Sequence, residues 1–111
     1  MMAESPIEAG APLACTLTAL TAEQRVRQQT VFQQVQAAVL ELRELPDGYG
    51  FRFPADAALL MVLAEFINLE RVCCAFFSFT LEVAPESGPI WLRITGREGV
   101  KQVLQAELGL S

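Results

Sequence analysis

Stretches in which apolar and polar residues alternate occur in two pairs, and this pattern constrains the fold more than any other feature of the sequence. Residues 40–43 and 49–53 alternate on either side of residues 46–48, a Pro-Asp-Gly turn signal. Residues 77–83 and 90–95 alternate in the same way. Because the side chains of a strand point to its two faces in turn, each stretch predicts a strand with one buried face. The sequence therefore predicts four strands in two hairpins.

Segments with helical spacing flank and separate these hairpins. Thr21 and Gln24 form a capping-box pattern, which predicts a first helix that ends near residue 38. Asp56 predicts the start of a long, broadly apolar helix that reaches about Cys74. Residues 95–98 have the pattern of another capping box, before a final helix. The order α-ββ-α-ββ-α predicts an α+β two-layer sandwich, in which a four-stranded, mainly antiparallel sheet carries the helices on one face.

The length and composition set the number of domains and suggest a partner. Residues 1–12 combine prolines, a glycine and glutamates and predict a disordered, acidic leader, which leaves residues 13–111 as a single α+β domain. Apolar residues make up 52% of the chain, and the usual share is ~45–50%. This surplus favours a homodimer interface or an apolar pocket, because one small core does not hide it all.

The sequence also excludes several classes of function. It contains no histidine, which removes Ser-His-Asp and Cys-His catalysis and every imidazole metal ligand. A net charge of −5 with scattered basic residues argues against a nucleic-acid partner, which is bound largely through its phosphates. The most apolar run, residues 57–64, is far shorter than the ~18–20 residues of a membrane span. Because the N-terminus also lacks the pattern of a signal peptide, we expect a cytoplasmic protein without a membrane partner.

The concentrated chemistry of the chain lies in its three cysteines. Cys73 and Cys74 are adjacent at the end of the long apolar helix, and Glu70 lies one turn earlier on the same face. Cys15 precedes the first helix, and its thiolate joins the other two if its segment folds back over the helix end. Three sulfurs suit soft ions such as Hg(II), As(III) or Cu(I), whereas Zn(II) would take a fourth ligand from Glu70. In a reducing cytoplasm we expect three free thiols rather than a disulfide framework.

Other interpretations of the cysteines stay open. Free cysteine often fills a core as a small hydrophobe, and the stretch around Cys73 and Cys74 is apolar; the protein would then be a structural or interaction homodimer. A vicinal disulfide between these two residues would be strained and labile. A thiol enzyme that performs redox exchange, or cleaves a metal–carbon bond with help from Glu70, rests on the same residues and is less favoured. General acid–base catalysis by Glu65 or Glu70 is disfavoured because neither has a visible partner for a two-carboxylate mechanism.

Two further groups of residues near this site have alternative roles. Tyr49, Phe51 and Phe53 share one face of the second strand, and they either line an apolar pocket near the thiols or belong to the core. Glu70 either serves the thiols or forms a solvated ion pair, with Arg52 across the hairpin or with a neighbour of Arg71.

The stretch over residues 70–79 resembles the E-R-x-C-C-P-F signature of a small, poorly characterised bacterial protein family. Residues 48–53 resemble its G-Y-x-F-x-F hairpin, residues 91–99 its W-L-x-x-T-G-x-E-G stretch, and residues 15–18 its C-x-L-T motif. The resemblance implies that all three cysteines belong to the family pattern, and it suggests a setting of heavy-metal or arsenic resistance without an established activity. Ala75 stands where the signature has proline, so the helix end is less firmly fixed here.

Overall fold

The computed structural model describes residues 15–109, so the predicted leader over residues 1–12 lies outside the described residues. Within the described range, the elements follow one another in the predicted order α-ββ-α-ββ-α, after a short 3-10 turn at Leu17–Ala19. The helices are α1 (Ala22–Ala38), α2 (Ala57–Cys73) and α3 (Val100–Glu107). The strands are β1 (Glu41–Leu45), β2 (Gly48–Phe53), β3 (Ser78–Val83) and β4 (Ile90–Thr95). The predicted α+β class is confirmed.

The four strands form one antiparallel sheet in the order β1-β2-β4-β3. Leu42 of β1 is in register with Phe51 of β2, which is in register with Leu92 of β4. Leu92 in turn pairs with Leu81 of β3. Because register partners point to the same side of a sheet, these residues form one row across its inner face. Within the sheet, the buried residues belong to the two central strands, β2 and β4.

The helices and the inner face of the sheet enclose one hydrophobic core. Every helix and both central strands contribute to it, as the most deeply buried large side chains show. They include Val31 of α1, Phe53 of β2, Leu63 of α2, Leu92 of β4 and Leu104 of α3. The long helix α2 lies against α1 and also contacts the 3-10 turn at Leu17–Ala19, near the start of the described chain.

The first two helices begin where the sequence predicts. The Thr21 hydroxyl accepts a hydrogen bond from the Gln24 amide at 3.1 Å, and the Gln24 side chain accepts one from the Thr21 amide at 2.8 Å. A carboxylate oxygen of Asp56 accepts a hydrogen bond from the Leu59 amide at 2.8 Å. Both caps satisfy amide groups that a helix N-terminus leaves without a partner. The capping box at Thr21 is therefore confirmed.

The predicted capping box at residues 95–98 is wrong. Thr95 is the last residue of β4 and pairs with its neighbours in the sheet, so it does not cap a helix. The Gly96 amide donates a hydrogen bond to the Asp47 carbonyl at 3.2 Å, which ties this turn to the turn of the first hairpin. Helix α3 begins later, after Gly99, whose φ of 97° lies in the left-handed region that glycine adopts readily.

The outer face of the sheet carries charged groups around one tryptophan. The guanidinium groups of Arg43 and Arg93 lie 4.7 and 5.9 Å from the centre of the Trp91 ring. Beside them, Arg52 forms an ion pair with Glu41 at 2.8 Å. Among the described residues, no helix combines the length and the apolar character that crossing a lipid bilayer requires.

Candidate metal and thiol site

Two distant segments bring the three cysteines together at the C-terminal end of α2. The Cys74 amide donates to the Glu70 carbonyl at 2.6 Å and so closes the last turn of the helix. The Thr16 amide donates to the Cys73 carbonyl at 2.8 Å, which fastens the segment of Cys15 to the same helix end. A helix end leaves several carbonyl groups free to accept such bonds. The sulfur atoms of Cys15, Cys73 and Cys74 all lie within 4.8 Å of one another.

Two of these cysteines are covalently joined. A disulfide links Cys15 to Cys74, whose Cα atoms are 4.4 Å apart across a sequence separation of 59, whereas Cys73 keeps a free, buried thiol. The expectation of three free thiols is therefore wrong for this form of the protein. An odd number of cysteines does not prevent one pair from forming when the fold places two Cα atoms within the range that a disulfide spans. The bond also differs from the vicinal alternative, which would join Cys73 to Cys74.

Glu70 lies inside the protein next to the disulfide. Its side chain is only 7% exposed. One carboxylate oxygen accepts a hydrogen bond from the Gln28 amide group at 2.9 Å, and the other lies 3.8 Å from the Cys74 sulfur. The alternative of an ion pair with Arg52 is wrong, because Arg52 points to the outer face of the sheet and binds Glu41 there. Glu70 is thus a member of the thiol site.

Glu107, in the last turn of α3, is a site residue that the sequence analysis missed. A carboxylate oxygen of Glu107 lies 3.3 Å from the Cys15 sulfur. Oxygen atoms of Glu70 and Glu107 and the Cys74 sulfur form a second group of potential ligands within 4.8 Å of one another. The sequence pattern that could have indicated Glu107 is its helical spacing. Glu107 follows the buried Leu104 by three residues and therefore shares its helix face.

An open cavity of about 390 Å³ gives access to this site. Its walls are formed by both carboxylates, by two of the cysteines and by polar and aromatic side chains of α1. These residues are Cys15, Gln28, Gln29, Phe32, Glu70, Cys73 and Glu107. Cys15 is partly exposed, whereas Cys74 is only 1% exposed and does not belong to the lining.

The three aromatic residues of β2 lie elsewhere. Tyr49, Phe51 and Phe53 are all buried in the core, and none of them lines the cavity beside the thiols. The Tyr49 hydroxyl accepts a hydrogen bond from the Gln105 side chain at 2.8 Å, and Phe51 borders a separate apolar crevice of about 30 Å³. Their placement agrees with the core interpretation.

The surroundings of the site favour the protonated, uncharged forms of its carboxyl and thiol groups. Burial raises the pKa of the Glu70 carboxyl, and the nearby negative charge of Glu107 adds to this effect, while the hydrogen bond from Gln28 opposes it. Partial desolvation at the site raises the pKa of the otherwise exposed Glu107, and burial raises the pKa of the Cys73 thiol. A bound cation would reverse this preference, because it stabilises the thiolate and carboxylate forms that bind it.

Replacing Glu70 by glutamine should stabilise the oxidised, metal-free protein at neutral pH. In the folded protein the pKa of Glu70 is raised above its ordinary value of 4.5, so the folded state binds this proton more tightly than the unfolded state does. The resulting stabilisation of the wild type is fully present when the pH is below that ordinary value. It is lost as the pH rises through the pKa that Glu70 has in the folded protein. Glutamine keeps an oxygen that accepts the hydrogen bond from Gln28 and carries no charge.

Denaturant unfolding of Glu70→Gln and of the wild type, from mildly acidic to neutral pH, measures this effect. The difference in the free energy of unfolding should grow in favour of the variant as the pH rises. The difference between the two proteins, rather than either curve alone, isolates Glu70 from ion pairs elsewhere, such as Arg27 with Glu65. A difference that stays constant across this pH range would contradict the prediction.

Comparison of the chain with protein-family models, curated proteins and solved structures found no match. The resemblance to the E-R-x-C-C-P-F family is thus an expectation from the sequence only. The fold and the site define the molecule as an α+β protein with a three-cysteine cluster that could hold a metal ion and that also forms one disulfide.

Proposed function

We propose that the reduced protein binds a soft metal or metalloid ion through Cys15, Cys73 and Cys74. The observation that carries this proposal is the mutual approach of three sulfur atoms, within 4.8 Å, from segments 58 to 59 positions apart in the sequence. Ligands at Zn–S-type bond lengths of ~2.3 Å around one ion lie about 4 Å from each other. Only a small adjustment after reduction would therefore let all three thiolates share an ion.

The donor set determines which ions fit. With three thiolates and no imidazole, the site would select Hg(II), As(III) or Cu(I), because these ions prefer soft sulfur ligands. Zn(II) would need a fourth ligand, which a carboxylate oxygen of Glu70 or Glu107 could supply beside Cys74. Binding would release protons, since burial raises the pKa of the Cys73 thiol and the ion must displace its proton.

The proposed role suits the cytoplasm, where glutathione and thioredoxin keep thiols reduced. The resemblance to a family from heavy-metal and arsenic resistance settings points in the same direction. The two acidic side chains that line the cavity also fit, because a cation bound there would stabilise the charged carboxylate forms of Glu70 and Glu107.

Titration of the phosphine-reduced protein with Hg(II), As(III), Cu(I) and Zn(II) tests the proposal. We expect Cys73→Ser to bind the preferred ion at least ~100-fold more weakly, since even the hydrogen-bonded neighbours of metal ligands contribute 10–100-fold to affinity. Competition with a chromophoric chelator and the thiolate-to-metal charge-transfer absorbance measure the affinity.

Cys73→Ser offers an internal control for correct folding. It retains Cys15 and Cys74, so under oxidising conditions it should still form their disulfide if the helix end and residue 15 meet as in the wild type. Equally weak binding by the wild type and by a Cys73→Ser protein that forms this disulfide would overturn the proposed function.

A homodimer in which the cysteines are structural is the second candidate. The observation that favours it is the exposure of apolar side chains on two helices: Val26 of α1 is 69% exposed, and Met61 of α2 is 70% exposed. The charged groups around Trp91 make the outer face of the sheet a less apolar surface for self-association than the composition suggests. Self-association therefore stays a prediction.

A further inference from the structure

We propose that the Cys15–Cys74 disulfide exchanges with small thiols and disulfides, that the attack occurs at the Cys15 sulfur, and that this exchange opens and closes the three-cysteine metal site. The exchange itself depends only on access to the two sulfurs of the disulfide. Its regulatory consequence rests on the proposed metal binding.

Access distinguishes the two sulfurs of the disulfide. Thiol–disulfide exchange requires the incoming thiolate to reach one sulfur, and its rate depends on which sulfur is accessible. Cys15 is partly exposed and lines the open cavity, whereas Cys74 is 1% exposed and lies behind it. An incoming thiolate therefore reaches the Cys15 sulfur, and Cys74 becomes the leaving group.

The cavity suits a small-molecule reagent. A volume of about 390 Å³ admits a low-molecular-weight thiol. The carboxylate oxygen of Glu107, 3.3 Å from the Cys15 sulfur, favours a thiol that carries a positive charge over one that carries a carboxylate. Cysteamine and its disulfide, cystamine, are therefore suitable probes.

Reduction of the Cys15–Cys74 disulfide by cysteamine proceeds in two steps. A cysteamine thiolate, whose proton has passed to water, forms a bond to the Cys15 sulfur; the Cys15–Cys74 bond breaks, and Cys74 leaves as a thiolate that takes a proton from water. A second cysteamine thiolate then attacks the cysteamine sulfur of the mixed disulfide. It forms cystamine and releases Cys15, which also takes up a proton. Two thiols are oxidised, one protein disulfide is reduced, and cystamine drives the same steps in reverse.

The third cysteine connects this exchange to metal binding. Cys73 takes no part in the disulfide, so reduction leaves three thiols within reach of one ion, whereas oxidation leaves only Cys73. A single buried thiol cannot replace a three-thiolate site for a soft ion. Cystamine should therefore release the ion from the loaded protein as the Cys15–Cys74 bond forms.

Trapping of the mixed disulfide tests the site of attack. In reduced Cys73→Ser/Cys74→Ser, both neighbouring thiols that could release a captured cysteamine are absent, so cystamine should leave a cysteamine group on Cys15. Peptide mass spectrometry identifies the modified residue. We expect this reaction to be at least about tenfold faster than modification of any cysteine in Cys15→Ser, since both thiols that remain there are buried. Equal rates, or faster modification of Cys73 than of Cys15, would overturn the inference.

The wild type supplies a second measurement that does not depend on a variant. Acid quenching of the oxidised protein during brief exposure to cysteamine should capture the mixed disulfide on Cys15 and not on Cys74. A mixed disulfide found mainly on Cys74 would reverse the proposed roles of the two sulfurs.

Cys73→Ser separates this inference from the proposed function. It should exchange with cysteamine at the wild-type rate and yet lose the metal. If wild-type protein reduced by a phosphine binds the ion but the disulfide resists cysteamine, the exchange is wrong and metal binding stands. If exchange occurs but no ion binds, the proposed function fails alone. If cystamine forms the disulfide while the ion stays bound, the regulatory part is wrong.

Discussion

Reduction of the Cys15–Cys74 disulfide should lower the free energy of unfolding of the metal-free protein by about 4 kcal/mol. The bond joins residues that are 59 positions apart, so in the unfolded chain it closes a loop of more than half the sequence. Opening that loop restores conformational freedom to the unfolded state and favours it. Denaturant unfolding with and without a phosphine reductant measures the change.

Two variants control this experiment. Cys15→Ser should be as stable as the reduced wild type and should not respond to the reductant, because it cannot form the bond. Cys73→Ser retains the bond and should lose about as much stability on reduction as the wild type does. A loss below about 1 kcal/mol in the wild type would contradict the loop-closure contribution expected for this bond.

Metal binding could offset the stability that the protein loses when the disulfide is reduced. A domain of this kind is stable by about 5–15 kcal/mol, so the reduced protein would keep its fold with a smaller margin. If only the folded state binds the ion, a free ion concentration of about 1,000 times the Kd adds about 4.1 kcal/mol to the free energy of unfolding. A metal ion shared by Cys15, Cys73 and Cys74 would thus replace the disulfide as the link between residue 15 and the end of α2.

The elements of the fold were predictable where local signals act alone. Thr21 and Asp56 cap their helices through groups within three residues, and Pro46 and Asp47 of the Pro-Asp-Gly signal form the turn between β1 and β2. The pattern at residues 95–98 failed because a non-local interaction prevails there. Thr95 pairs with Ser78 and Gly48 on the neighbouring strands, and this pairing extends β4 to the residue that would have capped a helix.

The site could be predicted only in part for the same reason. Cys73, Cys74 and Glu70 stand together in the sequence, and the lack of histidine directed attention to them. Their pairing with Cys15 depends on how the segment before α1 crosses the end of α2, which no local pattern encodes. Glu107 reaches Cys15 across 92 positions, so helical spacing could place it on the same helix face as Leu104 but could not identify its partner.

Gly48→Ala should lower the free energy of unfolding by about 3 kcal/mol, the upper part of the usual range for overpacking. Gly48 begins β2 and pairs with β1 on one side and β4 on the other. An added Cβ would overlap the carbonyl oxygen of Ile94 and would lie 2.8 Å from the Cα of Thr95. Both are backbone atoms of a central strand, so no side-chain rotation relieves the clash.

Gly50→Ala is the matched control two residues along the same strand. Its Cβ would meet only side-chain atoms of Trp91 and Arg93, the nearest at 3.6 Å, which is ordinary van der Waals contact. We expect a change within about 0.5 kcal/mol for this variant. Both variants keep every cysteine, so non-reducing unfolding compares them with the disulfide intact. Equal stability of the two variants would contradict the register that brings Gly48 against β4, and with it the hydrogen bond from Gly96 to Asp47 that anchors the turn leading into α3 and Glu107.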